Sequence, residues 1–280
     1  MAFFDVSKQW VIRLPELCDT AAVRDLAGFL NKTRVAAGVK GDIQILSAEE
    51  SSGDSCEIII NCDRGSKKNG YAWRIGCDRV EIYGHSLRSS DNAVYDFIRS
   101  LGGSFSGAGE IITPAAGNGI QIPCRKAAAH FNDDGKRTRV FIKRGLSAKE
   151  TMEAVLNAGR GAVDEVVLSL APAFDIKTAS EVSALAARFH LEVSRGGEEL
   201  EFFVPRNLFF FHREYFRMEG GRRVKNLNFC ASNNKTRDVI ARSALTFFNN
   251  YTACKKYYLF ASGAITPEEN VWWSCPACRA

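Results

Sequence analysis

The chain has 280 residues, 46% hydrophobic and 25% charged, an ordinary globular composition with room for about two domains. Its 37 basic and 32 acidic residues leave a formal charge of +5, too small and too scattered for a nucleic-acid footprint, so no nucleic-acid partner is expected. No stretch approaches the roughly 18 apolar residues of a membrane span, and Met1-Ala2-Phe3-Phe4-Asp5 lacks the basic start and apolar run of a leader.

These readings imply a cytoplasmic protein with no membrane partner, or a secreted one if the true N-terminus lies upstream. The nine cysteines are odd in number, and several (Cys56, Cys62, Cys77, Cys230) sit in apolar runs. That fits reduced thiols better than a disulfide framework.

In chain order, Trp10–Leu14 reads as a strand, followed by a helix with Asp19 as N-cap and Val23, Leu26, Ala27 and Leu30 on one face. Asp42–Leu46 and Glu57–Ile60 are short apolar strands around a Ser-Gly-Asp turn. Tyr71–Ile75 and Arg79–Tyr83 alternate around Gly76-Cys77-Asp78 and read as a hairpin. A helix starting near Ser89 to Asp91 carries Val94, Phe97, Ile98 and Leu101, and Gly102-Gly103 stops it. Ile111–Pro123 is extended.

Beyond this the rhythm changes to alternating strands and helices. Arg139–Ile142, Asp164–Leu170, Leu191–Ser194, Leu227–Ala231 and Lys256–Ala261 read as strands, with Glu201–Val204 extending the third. Ser147-Ala148-Lys149-Glu150 is a capping box. Thr178–Phe189 and Thr236–Tyr251 are amphipathic helices. The pattern argues parallel βαβ units. A doubly wound sheet is the rival, but Lys143-Arg144-Gly145-Leu146-Ser147 is no dinucleotide-binding loop. The basic run Arg217 to Lys225 reads as a solvated turn.

Two stretches carry a resemblance. Gly70 to Ile75, Arg79 to Gly84, Leu87-Arg88 and Ala93 to Phe97 resemble the closing hairpin and helix of the N-terminal domain in α-glucuronidases and β-hexosaminidase-like enzymes. Phe211-His212-Arg213-Glu214-Tyr215-Phe216, Gly220-Gly221-Arg222, Leu227 to Asn233 and Trp273 to Ala280 resemble an uncharacterised glycoside-hydrolase-like family. Arg213 stands where that family tends to have proline, and Trp273 where it often has cysteine. Thr266 to Asn270 lacks the family's Asp or Asn-Asp pair.

The resemblance implies an α/β protein. A small α/β sandwich domain over residues 1–124 precedes the first half of an incomplete TIM-type (β/α) barrel over 125–280. The family barrel runs further, so a truncated or shortened relative is implied. It also implies a carbohydrate substrate, no cofactor, and self-association or a partner chain that completes the barrel.

Glycoside cleavage needs two carboxyl groups flanking the bond, and in a barrel they sit after the strands on the C-terminal face. Glu268 and Glu269 follow the last strand and are the catalytic candidates; a solvated acidic stretch is the alternative. His212 and Glu214 match the family run and suit sugar hydroxyls, or else simply begin a helix that packs Tyr215 and Phe216. Phe209, Phe210 and Phe211 read as core. Trp272 and Trp273 suit pyranose stacking or a hydrophobic plug. Cys275 and Cys278 form a lone C-x-x-C, a weak metal candidate without a second pair. A non-catalytic carbohydrate-binding remnant and a cysteine-dependent metal protein are the competing readings.

Overall fold

A computed structural model describes residues 3–14, 20–51, 53–62, 70–106, 110–113, 121–123, 126–130, 138–142, 145–170, 176–197, 199–225, 229–250, 254, 256–260, 275 and 277. The elements in order are β1 (Phe3–Asp5), β2 (Trp10–Leu14), α1 (Ala21–Ala36), β3 (Gln44–Ser47), β4 (Cys56–Cys62), β5 (Gly70–Ile75), β6 (Arg79–Gly84) and α2 (Leu87–Ser100). Next come β7 (Ser104–Phe105), β8 (Ile111–Ile112), β9 (Gln121–Pro123), β10 (Lys126–His130), β11 (Arg139–Phe141), α3 (Ala148–Arg160), β12 (Glu165–Leu168) and α4 (Ile176–Arg188). The last are β13 (Glu192–Gly197), β14 (Met218–Glu219), β15 (Arg222–Arg223), α5 (Asn234–Asn250) and β16 (Tyr257–Leu259).

The fold is mixed α/β. The chain divides into two compact units, one of residues 1–140, 147–166 and 174–192, the other of 141–146, 167–173 and 193–280.

The first unit is built on a six-stranded sheet of order β10-β5-β6-β4-β2-β3. Strands β3, β2, β4 and β6 run parallel, while β5 joins β6 as the hairpin expected from sequence and β10 adds antiparallel at the edge. Ile58, Ile59 and Ile60 in β4 are all buried, as a central strand covered on both faces requires. Phe97 of α2 meets Trp73 of β5 at 5.9 Å between ring centroids and Phe4 of β1 at 6.0 Å, both edge-on. The Trp73 indole donates to Asp96 at 2.8 Å, which gives its buried N–H a partner.

Helix starts follow side-chain capping. Thr20, rather than Asp19, caps α1 by accepting from the Val23 amide; Asp19 lies outside the described residues. Ser86 caps α2, which therefore begins one turn earlier than its apolar stripe suggests. The Ser147–Glu150 box on α3 is formed from both sides.

A buried arginine organises α3 and α4. Arg88 of α2 donates to the carbonyls of Ala158, Gly159 and Gly161 at 3.1, 2.6 and 2.6 Å, and to those of Val163 and Phe189 at 2.8 and 3.2 Å. Ala158, Gly159 and Gly161 lie at the C-terminal end of α3, where a positive charge also suits the helix dipole. Burial pulls the Arg88 guanidinium pKa down, opposed by the Asp91 carboxylate. Gly159 lies so close to Phe189 that an added Cβ would fall 2.4 Å from its ring.

Two sequence expectations are corrected. Glu201–Val204 does not extend β13, because Leu200–Phe203 is a 3-10 turn that packs Phe203 edge-on against Phe247 and Phe248 of α5. The expected strand Leu227–Ala231 reduces, among the described residues, to one antiparallel bridge between Phe216 and Phe229, with Ala231 already in a turn. Among the described residues no helix is long and apolar enough to cross a membrane.

Candidate active site

A second sheet has the order β11-β12-β13-β16. Its strands advance together. The Asp164 amide donates to Thr138 and the Ile142 amide to Val167, so β11 and β12 run parallel. Pairing of Arg195 with Tyr257 and Gly197 with Leu259 makes β13 and β16 parallel as well.

Among the described residues the sheet is rolled, though not closed. In a flat sheet β11 and β16 would stand about 14 Å apart, three spacings of about 4.8 Å. Yet the Phe141 ring lies 5.9 Å from Tyr258 and 5.8 Å from Phe260, both edge-on. Curling brings side chains from opposite edges together over the concave face. The β13–β16 approach depends on Gly196: at its φ of 125° an added Cβ would lie 1.8 Å from the Tyr258 carbonyl oxygen.

The C-terminal ends of these strands gather polar groups. Glu199, 4% exposed, follows β13. Its carboxylate accepts a short hydrogen bond from the Ser169 hydroxyl and one of 2.6 Å from the Leu170 amide, both just past β12. Arg195 donates to the Ser169 carbonyl at 3.1 Å. Beside them the Phe260 amide bonds Gly197 and the Leu200 amide bonds Phe260. With both carboxylate oxygens engaged, Glu199 ties adjacent strand ends together. Sequence reasoning passed over it; the available signal was an acidic pair closing the Gly196-Gly197 strand end.

His212 immediately precedes a 3-10 turn, Arg213–Tyr215, and Glu214 lies within it. The His212 ring stacks on Tyr215 at 4.7 Å and its Nδ1 lies 3.3 Å from Glu214 Oε1. Both side chains are about half exposed. The Glu214 carboxyl is held below the usual carboxylate range by its own backbone amide and then, against slight burial, by His212. It is therefore an ionised acceptor at neutral pH.

Tyr215 and Phe216 are buried with Val204, as the packing alternative anticipates. The neighbouring phenylalanines are a correction: Phe209 packs on that cluster, but Phe210 and Phe211 are 68% and 80% exposed. The tight 3-10 turn Arg206–Phe210 cannot hold three consecutive side chains on one side. Lys225 sits 4.5 Å above the Phe210 ring.

Glu268, Glu269, Trp272, Trp273 and Cys278 lie outside the described residues. Cys275 is buried, 3.6 Å from the sulfur of Cys230. A groove of about 520 Å³ is lined by Phe202, Phe203, Pro205, Arg242, Thr246 and Phe247 among others. Among the described residues, none of those expected at the site lines it.

The chain is similar to several solved structures. One is a GH20 β-N-acetylhexosaminidase from Streptomyces coelicolor A3(2), with TM-score 0.55 and 13% identity, covering 92% of this chain and 56% of that one. Another is the N-acetyl-β-hexosaminidase of Streptomyces plicatus, with TM-score 0.51 and 14% identity, covering 93% and 56%. A third is a GH20 exo-β-N-acetylglucosaminidase from Vibrio harveyi, with TM-score 0.55 and 12% identity, covering 100% and 47%, in an inactive aspartate-to-alanine variant. At such identities the likeness is one of fold, and the chain spans about half the length of these enzymes. No family model and no curated protein matches it.

Proposed function

We propose that the chain is a glycoside-hydrolase-like protein, built as an N-terminal α/β domain over about residues 1–124 and the first half of a (β/α) barrel over 125–280. Its substrate class is a β-linked N-acetylhexosaminide. The observation that carries the reading is the rolled parallel sheet: its strand ends gather Ser169 and Glu199, and Glu268 and Glu269 follow its fourth strand in sequence. The fold likeness to β-N-acetylhexosaminidases supports the substrate class.

In this reading one carboxyl of the Glu268–Glu269 pair protonates the leaving oxygen. Neighbouring residues of an extended stretch point opposite ways, so one of the two acts at the site. His212 and Glu214 hydrogen-bond sugar hydroxyls, and Trp272 and Trp273 stack on a pyranose face. The test is turnover of a panel of 4-nitrophenyl glycosides, N-acetyl-β-glucosaminide and β-glucuronide included, by the full chain. Glu269→Gln or Glu268→Gln is expected to lower kcat about 10²–10⁴-fold. Unchanged rates in both variants remove the assignment.

The open sheet supports a second reading, a carbohydrate-binding protein without turnover. Among the described residues β11 and β16 are its edge strands, which favour association with another chain or copy. Saturable binding of a chito-oligosaccharide with no hydrolysis would select this reading over the first.

A further inference from the structure

The glycosidase reading leaves the thiols of the second unit unused. Cys230 and Cys275 are free thiols, 3% and 4% exposed. Their sulfurs lie 3.6 Å apart although 45 positions of chain separate them. The Ser232 hydroxyl is 3.3 Å from the Cys230 sulfur and 3.5 Å from that of Cys275.

We propose that Cys230 and Cys275 are a redox-active pair that closes to a disulfide and staples position 275 to the Tyr215–Phe216 cluster.

Three features support this. The sulfurs are in contact and need to approach by about 1.5 Å to reach the S–S length of about 2.05 Å, within reach of a side-chain rotation. Second, one partner is anchored. The Cys230 amide donates to the Tyr215 carbonyl at 2.8 Å, the Asn233 amide donates to the Cys230 carbonyl at 3.3 Å, and Phe229 bridges Phe216. A fixed thiol facing a second thiol meets it at high effective concentration, which favours an internal disulfide over a mixed one. Third, the Ser232 hydroxyl reaches both sulfurs. A hydroxyl that donates to a thiolate favours the ionised form, which is the nucleophile. Elsewhere the Cys56 and Cys254 sulfurs hydrogen-bond oxygens instead, those of Asp78 and Lys256.

The oxidant is a small disulfide such as oxidised glutathione. One cysteine thiolate attacks a glutathione sulfur, the glutathione S–S bond breaks, and a glutathione thiolate leaves. The second cysteine thiolate attacks the protein sulfur of the mixed disulfide, the internal S–S bond forms, and the second glutathione thiolate leaves. The two departing thiolates take up the two cysteine protons. The protein thus loses two electrons and two hydrogens, and the glutathione disulfide gains them. Burial slows both directions: oxidant and reductant reach the pair only when the surrounding structure opens locally.

The test is independent of glycosidase activity. The full chain is reduced with dithiothreitol, desalted, incubated with oxidised glutathione, blocked with N-ethylmaleimide and digested with trypsin without reductant. The expected main product joins residues 226–235, which hold Cys230, to residues 257–279, with fragmentation placing the bond on Cys275. Closing a loop of this length is expected to raise the Tm of the oxidised chain by about 8 °C over the reduced one. Cys230→Ser and Cys275→Ser are each expected to lose the joined peptide and the Tm shift, and Cys254→Ser to keep both. Maleimide or glutathione on Cys230 and Cys275 of the unsubstituted chain would overturn the proposal, without any need for a variant to fold. So would a Cys275–Cys278 bond in place of the joined peptide, or an oxidised chain that melts with the reduced one.

Discussion

Arg88→Met tests whether one side chain holds α3 and α4 on the first unit. The arginine is 8% exposed and all five of its hydrogen bonds end on backbone carbonyls. A hydrogen bond from a charged donor is worth about 1.5–3 kcal/mol, and a carbonyl left buried without a partner costs about 1–3 kcal/mol. Summed naively, five such bonds exceed what single substitutions ever cost. Bonds sharing one guanidinium are not independent, and water entering the vacated space satisfies part of the group. Burying methionine in place of a desolvated charge recovers some apolar energy.

The expected loss is about 3–5 kcal/mol, at the upper end of single-site effects. At about 2–4 °C per kcal/mol this lowers Tm by about 10 °C, read by circular dichroism. Arg88→Lys keeps the charge but not the planar fork, and is expected to recover less than half of the loss. A methionine variant within about 1 kcal/mol of the parent would refute the clamp.

Gly159→Ala is expected to cost about 1–3 kcal/mol by thermal melt, because its methyl would collide with the Phe189 ring. Glu199→Ala should destabilise the second unit by about 2–4 kcal/mol, since it orphans the Leu170 amide and the Ser169 hydroxyl; a double-mutant cycle with Ser169→Ala should show coupling above about 0.5 kcal/mol. Ser147→Ala should cost about 1 kcal/mol. The Ser147 side chain and backbone hold the Glu150 carboxyl below its usual range. That contribution is therefore full above the ordinary glutamate range and fades as pH falls through the lower folded value. The alanine variant should flatten this acid limb in a pH series of melts. Phe211→Ser, at a position 80% exposed, should stay within about 0.5 kcal/mol of the parent in urea unfolding.

Local patterns were legible in the sequence and distant ones were not. The β5–β6 hairpin, the apolar stripe of α2 and the Ser147–Glu150 box each lie within a few residues of chain, where alternation and capping chemistry are visible. Strand β10 was missed because Lys126-Ala127-Ala128-Ala129-His130 has no β-branched or aromatic residue; its pairing with β5 supplies the structure instead. Glu201–Val204 looked like a strand because it is apolar, but α5 captured its phenylalanines.

The same divide holds at the site. The expected residues came from a resemblance and from spacing after strands. Arg88 and Glu199 act on groups that the sequence gives no reason to pair with them. Arg88 meets carbonyls some 70 or more positions away, and Glu199 meets Ser169 and Leu170, 30 and 29 positions back.

The union of β13 with β16 bears on how the chain is made. Arg195 and Tyr257 are separated by roughly 60 residues, so their pairing must close a long loop before any ladder bond repays it. At synthesis rates of about 5–20 residues per second, β13 waits several seconds for its partner. During that interval its edge presents Gly196 and Gly197, bare backbone with no side chain to fend off another strand. Nascent chains crowded on one messenger are then most exposed to pairing with each other, and slower translation between Gly197 and Tyr257 should lower the yield of folded protein.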